Sequence, residues 1–438
     1  MRPFKILLFI GEVMVALALL CIILPGRIAL GDSQLRWPTL SKVLEIDNPK
    51  QTDSLVNEQE ADTIAEFPVF VAEKEDRKPV VAKPKPTIPK VQVDSTTDSR
   101  IFLRAFYKSL SQSNNRMIRV LHYGDSQIEE DRITMQIRSA LQNRYGGRGV
   151  GLMPLAQTIP SLSVKQRLYM NGRYVNPNQG PQRYFVYGFK RDQRSDGKYG
   201  PMGQMAVMDN ELAEGSENIV TICTPQESAN RYTQWQVFAD STIQYSFAGD
   251  TVYLRGKGNV YGLSQVSRTG VIVDNIAMRG CLGTVFTKMD SSLLASFYQE
   301  QNVRLIIMQF GGNAIPSNRN HSTIRSIVYG LRDQVRYMQS LAPNASILFI
   351  GPSDMLTMED GEWITYPMVP YMDKLLRKMA LEENIAYFSL FQFMGGAGGM
   401  KRWQEMGIAG SDGVHFNRSG ARKAGNAIAN WILEGAEK

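Results

Sequence analysis

Two short stretches of this chain hold the residue types of a serine acyl-transfer relay. Ser126 stands in Leu121-His122-Tyr123-Gly124-Asp125-Ser126-Gln127, while Asp412 and His415 stand three positions apart in Ser411-Asp412-Gly413-Val414-His415-Phe416. A serine hydroxyl is a weak nucleophile until a base takes its proton, and a histidine base needs a carboxylate to fix its tautomer and hold its ring. A tight loop carrying both Asp412 and His415 supplies that pair. Donors for a developing oxyanion are the next requirement. Asn313, in Gln309-Phe310-Gly311-Gly312-Asn313, and the backbone at Gly280, after Val271-Ile272-Val273-Asp274-Asn275-Ile276-Ala277-Met278-Arg279, are the candidates.

These residues must be brought together by the elements that precede them. Residues 117–123 read as a buried strand, and Gly124 permits a sharp turn into a helix. Glu129, Glu130 and Asp131 suit the positive N-terminus of that helix, Ile133, Ile137, Ala140 and Leu141 keep its spacing, and Gly146-Gly147 end it. The Ser126 hydroxyl is then expected to face unpaired backbone N–H groups. Val303–Met308 reads as a buried parallel strand ending in a flexible turn. Beyond it the alternation continues with a helix over 321–341, a strand over 346–350, a helix over 367–383, a strand over 386–390 and a last helix from Ser419 to Glu434 whose inner face is Ala424, Ile428, Trp431 and Ile432. Strand-helix alternation of this kind predicts an α/β fold with a parallel sheet flanked by helices. The Gly-rich loop over 394–399 with Trp403 is either cleft wall or connector.

Ser126 and Gly280 are 154 residues apart, far more than one crossover needs, so a module is inserted between them. Residues 160–268 have its composition: Arg183–Gly188, Asn218–Ile222, Gln234–Phe238 and Thr242–Phe247 are short, β-branched and aromatic. A β-sandwich-like domain is expected there, either carbohydrate-binding or purely structural, with Tyr232, Trp235 and Tyr245 as candidate stacking residues.

The blocks Gly124-Asp125-Ser126, Gly280, Gly312-Asn313 and Asp412-x-x-His415, in this order, resemble the SGNH (GDSL) hydrolase family. The resemblance implies that Ser126 is the nucleophile, His415 the base and Asp412 its orienter. The backbone N–H groups of Ser126 and Gly280 and the Asn313 amide would form the oxyanion hole. Gln127 and Ala314 depart from the family's frequent leucine and aspartate. With the insert, the architecture resembles bacterial peptidoglycan O-acetylesterases. That implies removal of O-acetyl groups from peptidoglycan or another surface polysaccharide; a polysaccharide O-acetyltransferase sharing the same acyl-enzyme and a non-catalytic glycan-binding protein are the alternatives.

Arg2 and Lys5 precede Ile6–Leu24, an apolar run interrupted only by Glu12 and long enough to cross a bilayer. Residues 1–25 are therefore expected to be a membrane anchor or a signal segment, with the positive end cytoplasmic and the rest in the periplasm or cell envelope. Residues 26–98 are polar and Pro-rich, with a net charge of −3, and read as a flexible, disordered linker. Residues 99–159 and 269–438 are assigned to the hydrolase domain. The chain's net charge of +7 is concentrated in residues 99–438, the insert included, and would favour an anionic polymer, although an ordinary basic surface reads the same way. No basic-aromatic cluster points to nucleic acid.

Cys223 and Cys281 are the two cysteines outside the apolar segment, and no bridge between them is expected. No cofactor and no metal is expected either, since the three histidines, His122, His321 and His415, have no ligand spacing. His122 reads as a buried hydrogen-bonded residue and His321 as exposed.

Overall fold

Apolar side chains dominate the strands of the central sheet, broken by Arg119, His122, Asp274 and Arg304, and the sheet they build is covered on both faces. The computed structural model describes residues 27–30, 33–36, 98–155, 159–170, 173–174, 206–208, 217–223, 233–239, 241–256, 258–289 and 291–437. The expected membrane segment, most of the expected linker, Tyr232 and the strand at 183–188 lie outside them. No helix among the described residues is long and apolar enough to cross a membrane. The chain divides into two units, Met1–Glu66 and Phe67–Lys438. In the first, inside the stretch expected as linker, Arg27–Leu30 pairs antiparallel with Ser33–Arg36.

The second unit holds a five-stranded parallel sheet of β1 (Met117–Gly124), β2 (Gly270–Ala277), β3 (Val303–Gln309), β4 (Ser346–Ile350) and β5 (Ala386–Phe388). The spatial order is β2-β1-β3-β4-β5. The chain leaves β1 for one side and reaches β3 on the other, so the carboxyl ends of β1 and β3 flank the crevice where such sheets bind ligands.

Because side chains alternate along a strand, each central strand supplies two faces. Leu121, Tyr123, Ile306, Met308, Ile347 and Phe349 meet one set of helices: α2 (Ser291–Glu300), α3 (His321–Leu341) and α4 (Met368–Glu382). Ile118, Val120, Leu305, Ile307, Leu348 and Ile350 meet α1 (Thr134–Tyr145) and α5 (Arg418–Ala436). Each such wholly buried aliphatic side chain stabilises the fold by about 1.5–3 kcal/mol. The expected helices and strands after Asn313 are all present within a residue or two of their expected limits, and α5 begins on an Asn417 side chain that accepts from Ser419 and Gly420 N–H.

Between β1 and β2 lie two antiparallel sheets. One runs in the order 244–248, 251–255, 217–223, 165–170, 173–174; in the other, 258–267 pairs with 151–153, 206–208 and 233–239. They share a core of Leu168, Val252 and Leu254 with Met153, Val260 and Leu263. Gly151–Met153, placed before residue 160, thus pairs into the inserted module. Trp235 and Tyr245 pack against this core, and the Trp235 ring N–H donates to Gly249 O, so both serve structure.

A buried ion pair fastens module to sheet. Arg119 in β1 lies 3.4 Å from Asp274 in β2, both wholly buried. Arg119 also donates to Ser264 Oγ at 2.7 Å and to Gln301 at 3.2 Å, while Asp274 accepts from Leu152 N–H at 2.7 Å. Burial pulls the guanidinium pKa down and pushes the carboxyl pKa up, each effect opposed by the partner's charge.

Candidate active site

Ser126 follows β1 directly, but its setting differs from the expected strand-to-helix turn in two ways. Gly124 has no positive φ; a Cβ there would lie 2.9 Å from Ile128 Cδ1, so a larger residue would have to displace the buried Ile128 side chain under the strand end. The helix does not start at once. Residues Ser126–Asp131 form a short 3-10 stretch, Glu130 and Asp131 take φ of 59° and 64°, and α1 begins only at Thr134. Two of the three acidic side chains are instead held in ion pairs, one with a cation 150 residues away and one with a cation on α1. Glu129 receives a two-pronged bond from Arg279 at 2.6 and 2.7 Å, and Asp131 receives Arg138 at 2.6 and 3.1 Å. The turn is capped by Asp125, whose Oδ1 accepts from Gln127 N–H at 3.0 Å, so that donor is already paired.

The relay itself is assembled. Ser126 Oγ lies 2.9 Å from His415 Nε2, and His415 Nδ1 lies 2.7 Å from Asp412 Oδ2. Asp412 Oδ1 accepts from the N–H of Val414 and of His415, both at 2.9 Å. Partial burial pushes the Asp412 pKa up, but the His415 backbone and ring N–H groups and the Val414 N–H outweigh it and hold the carboxyl below its ordinary value. An ionised Asp412 accepts from Nδ1–H, which leaves Nε2 unprotonated to take the serine proton.

Three further side chains, of which only Arg132 went unremarked in the sequence, hold the two loops in register. Gln127, the departure from leucine, donates from Nε2 to Val414 O at 2.7 Å and to Ser353 Oγ at 3.2 Å. Arg132 donates to Ser126 O at 2.7 Å and to Phe416 O at 3.1 Å. Trp403 stacks on Phe416 with ring centroids 4.9 Å apart, making the Gly-rich segment a support beneath the histidine loop. The links of Gln127 and Arg132 to the histidine loop join residues more than 280 positions apart and end on backbone carbonyls, so no local pattern announces them.

Asn313 lies in the turn after β3, where Gly311 takes φ of 118°. Its Nδ2 donates to Asp125 Oδ2 at 3.1 Å and to Cys281 O at 3.2 Å. Burial pushes Asp125 up to about 6, against the pull of Gln127 N–H and of His415. Ser126, Gln127, Asn313, Pro352, Met355 and His415 line a cavity of about 90 Å3. Gly280 is not among its lining residues: it sits exposed at a turn closed by Cys281 N–H on Met278 O, with φ of 71°.

His122 and His321 have the expected roles. His122 is wholly buried between Gln309 at 3.2 Å and Thr134 at 2.9 Å, and burial lowers it to about 4. His321 is exposed beside the Tyr371 ring. Cys281 is a free, buried thiol that burial pushes up to about 11. No cluster of metal-ligating side chains occurs among the described residues.

A doubly wound parallel sheet with a Ser-His-Asp relay and an asparagine at its switch point is the arrangement that the sequence resemblance to SGNH hydrolases implies. A solved structure of a peptidoglycan O-acetylesterase shares this fold over 78% of this chain and 99% of its own, with a TM-score of 0.61 and 20% identity. Slighter overlaps, too small to weigh, occur with an acetyl xylan esterase (37% of this chain, 80% of that chain, 13% identity, TM-score 0.26) and with the periplasmic domain of a lipopolysaccharide acetyltransferase from Salmonella ser. Paratyphi A (37%, 72%, 13% and 0.26). No protein-family profile and no curated protein sequence matches the chain.

Proposed function

We propose that this chain is an exported serine esterase that removes O-acetyl groups from peptidoglycan or a related surface polysaccharide. The observation that carries the reading is the continuous relay from Ser126 Oγ through His415 to Asp412, at 2.9 and 2.7 Å, opening on a cavity with Asn313 on its wall. Ser126 Oγ attacks the ester carbonyl while His415 Nε2 takes the proton, and the carbonyl electrons move onto oxygen. His415 returns the proton to the leaving sugar oxygen, and the acetyl group stays on Ser126. Water, deprotonated by His415, then attacks the acetyl carbonyl, and as the bond to Ser126 Oγ breaks His415 returns that proton to Oγ and acetate leaves.

At about 90 Å3 the cavity is smaller than the ~150 Å3 apolar space that admits a benzene, which favours a short acyl group over a fatty chain. The Asn313 amide is the side-chain donor for the oxyanion. Receiving it requires one of its two bonds, to Asp125 or to Cys281 O, to yield. The backbone N–H of Ser126 joins this amide in the proposal; the Gly280 N–H, outside the cavity lining, would have to approach for the third donor to form. Residues 1–25 would hold the enzyme at the inner membrane, with residues 26–98 spacing it from the bilayer.

The test is to incubate the full-length protein with O-acetylated cell wall and with an activated acetyl ester, following both acetate and acetylated sugar. Acetate as the main product at every glycan concentration is expected. Acetylated sugar replacing acetate as glycan rises would make the protein a transferase, and no release from either substrate would end the reading.

A further inference from the structure

The cavity beside Ser126 is small, so the few groups on its wall decide what occupies it. Two glutamines belong to that wall, Gln127 of the nucleophile turn and Gln309 at the carboxyl end of β3, and both are more than nine-tenths buried. Gln127 is held by its nitrogen. Val414 O can only accept, so the amide NH2 faces the histidine loop and Oε1 is the end left over. Gln309 is held by its oxygen. It shares a face of β3 with Ile307, whose register partner in β1 is His122, and its Oε1 lies 3.2 Å from His122 Nε2. Thr134 Oγ1 lies 2.9 Å from the other ring nitrogen. Burial keeps the imidazole neutral, so one nitrogen accepts and the other donates: the Thr134 hydroxyl donates to Nδ1, and Nε2–H donates to Gln309 Oε1.

Each amide thus commits one end to the fold. The other ends, Gln127 Oε1 and Gln309 Nε2, are buried and have no hydrogen-bond partner among the described residues. One is an acceptor and the other a donor, and their residues line one cavity of about 90 Å3. A methyl group set against them leaves both unpaired, whereas a hydroxyl accepts from the donor and donates to the acceptor. Sites built in this way reject the analogue that lacks the hydroxyl, because their own buried groups then go without a partner.

We propose that Gln127 and Gln309 form a polar end to the acyl-binding site that selects hydroxyacetyl, an acyl group with a hydroxyl on its second carbon, over its apolar isostere propionyl. This inference rests on the esterase reading above and adds the acyl group to it. Hydroxyacetyl esters are the ones cleaved best, and acetyl, one atom shorter, is accepted without that gain.

The test measures kcat/KM of the full-length wild type and of Gln309→Met on phenyl acetate, phenyl hydroxyacetate and phenyl propionate, each divided by the ester's own rate of hydroxide-catalysed hydrolysis. Methionine matches glutamine in length and lacks its N–H, so polarity is removed and volume kept. No wild-type turnover of any of the three esters, with no acetate from O-acetylated cell wall, would count against the esterase reading itself. With the esterase active, the wild type should favour hydroxyacetate over propionate by about tenfold to a hundredfold, and Gln309→Met should lower that ratio about tenfold. Should Gln309→Met fail to fold, Gln127→Met takes its place with the same fall expected. A wild-type ratio near one would overturn the proposal, as would a preference that the folded variant keeps in full, since other groups would then set the choice.

Discussion

Replacing Asp125 by asparagine should make the protein relatively more stable as pH rises and at the same time less active. The carboxyl lies in the interior with its pKa pushed from an ordinary 3.8 to about 6 by burial. A group raised in the folded state contributes stability that is fully present below the unfolded value, about 3.8, and is lost as pH climbs through about 6. That gap corresponds to about 3 kcal/mol. The amide of the Asp125→Asn variant would never ionise, so it would escape this loss. It would suffer another that does not depend on pH: Gln127 N–H and Asn313 Nδ2 bond different oxygens of the carboxyl, so the NH2 that replaces one of them would meet a donor. That cost is about 1–3 kcal/mol. Urea unfolding of the full-length wild type and Asp125→Asn at pH 3.5 to 8 should give a stability difference that shifts by about 3 kcal/mol in favour of the variant, mostly between pH 4 and 6.5. Over the same series kcat for a small acetyl ester should fall in the variant with little change in KM, because the Asn313 amide loses its orienting acceptor. A stability difference that stays level with pH, or one moving the opposite way, would refute the argument that burial dominates at Asp125.

Other substitutions test separate parts of the structure. Ser126→Ala and His415→Ala should each abolish ester cleavage while melting within a few degrees of wild type; wild-type turnover in either would dismiss the relay. Asn313→Ala should cost about 10²- to 10³-fold in kcat, the usual effect of one oxyanion donor, and a change confined to KM would remove Asn313 from that role. Arg119→Met leaves Asp274 buried without its cation and should destabilise the protein by about 3–5 kcal/mol in denaturation, against which an unchanged midpoint would be decisive.

Much of this molecule could be read from its residues in order. Apolar runs such as Val303–Met308 and the 3.6-residue spacing of α3 and α5 report local periodicity, and local periodicity is written into consecutive residues. The chemistry-bearing blocks at Ser126, Asn313 and Asp412–His415 were legible for the same reason: each is a short loop at the end of such an element. What the sequence could not convey were the partners that loops acquire across the fold. Glu129 and Asp131 looked like the first turn of a helix; the chain instead makes a 3-10 turn with two residues at positive φ, in which Glu129 meets Arg279, 150 positions away, a partner that no local pattern names. Gly124 looked like a turn residue until the packed position of Ile128 gave it a steric purpose. Nor does anything near Gln127 or Arg132 disclose that they hold the histidine loop, almost 290 residues away, against the nucleophile. Sequence alone determined which residues could do the chemistry, because residue type and local spacing set reactivity and secondary structure. Tertiary structure decided their distances, their burial and the charge on Asp125, because those depend on which distant backbone carbonyls and side chains the packed sheet brings within hydrogen-bond reach.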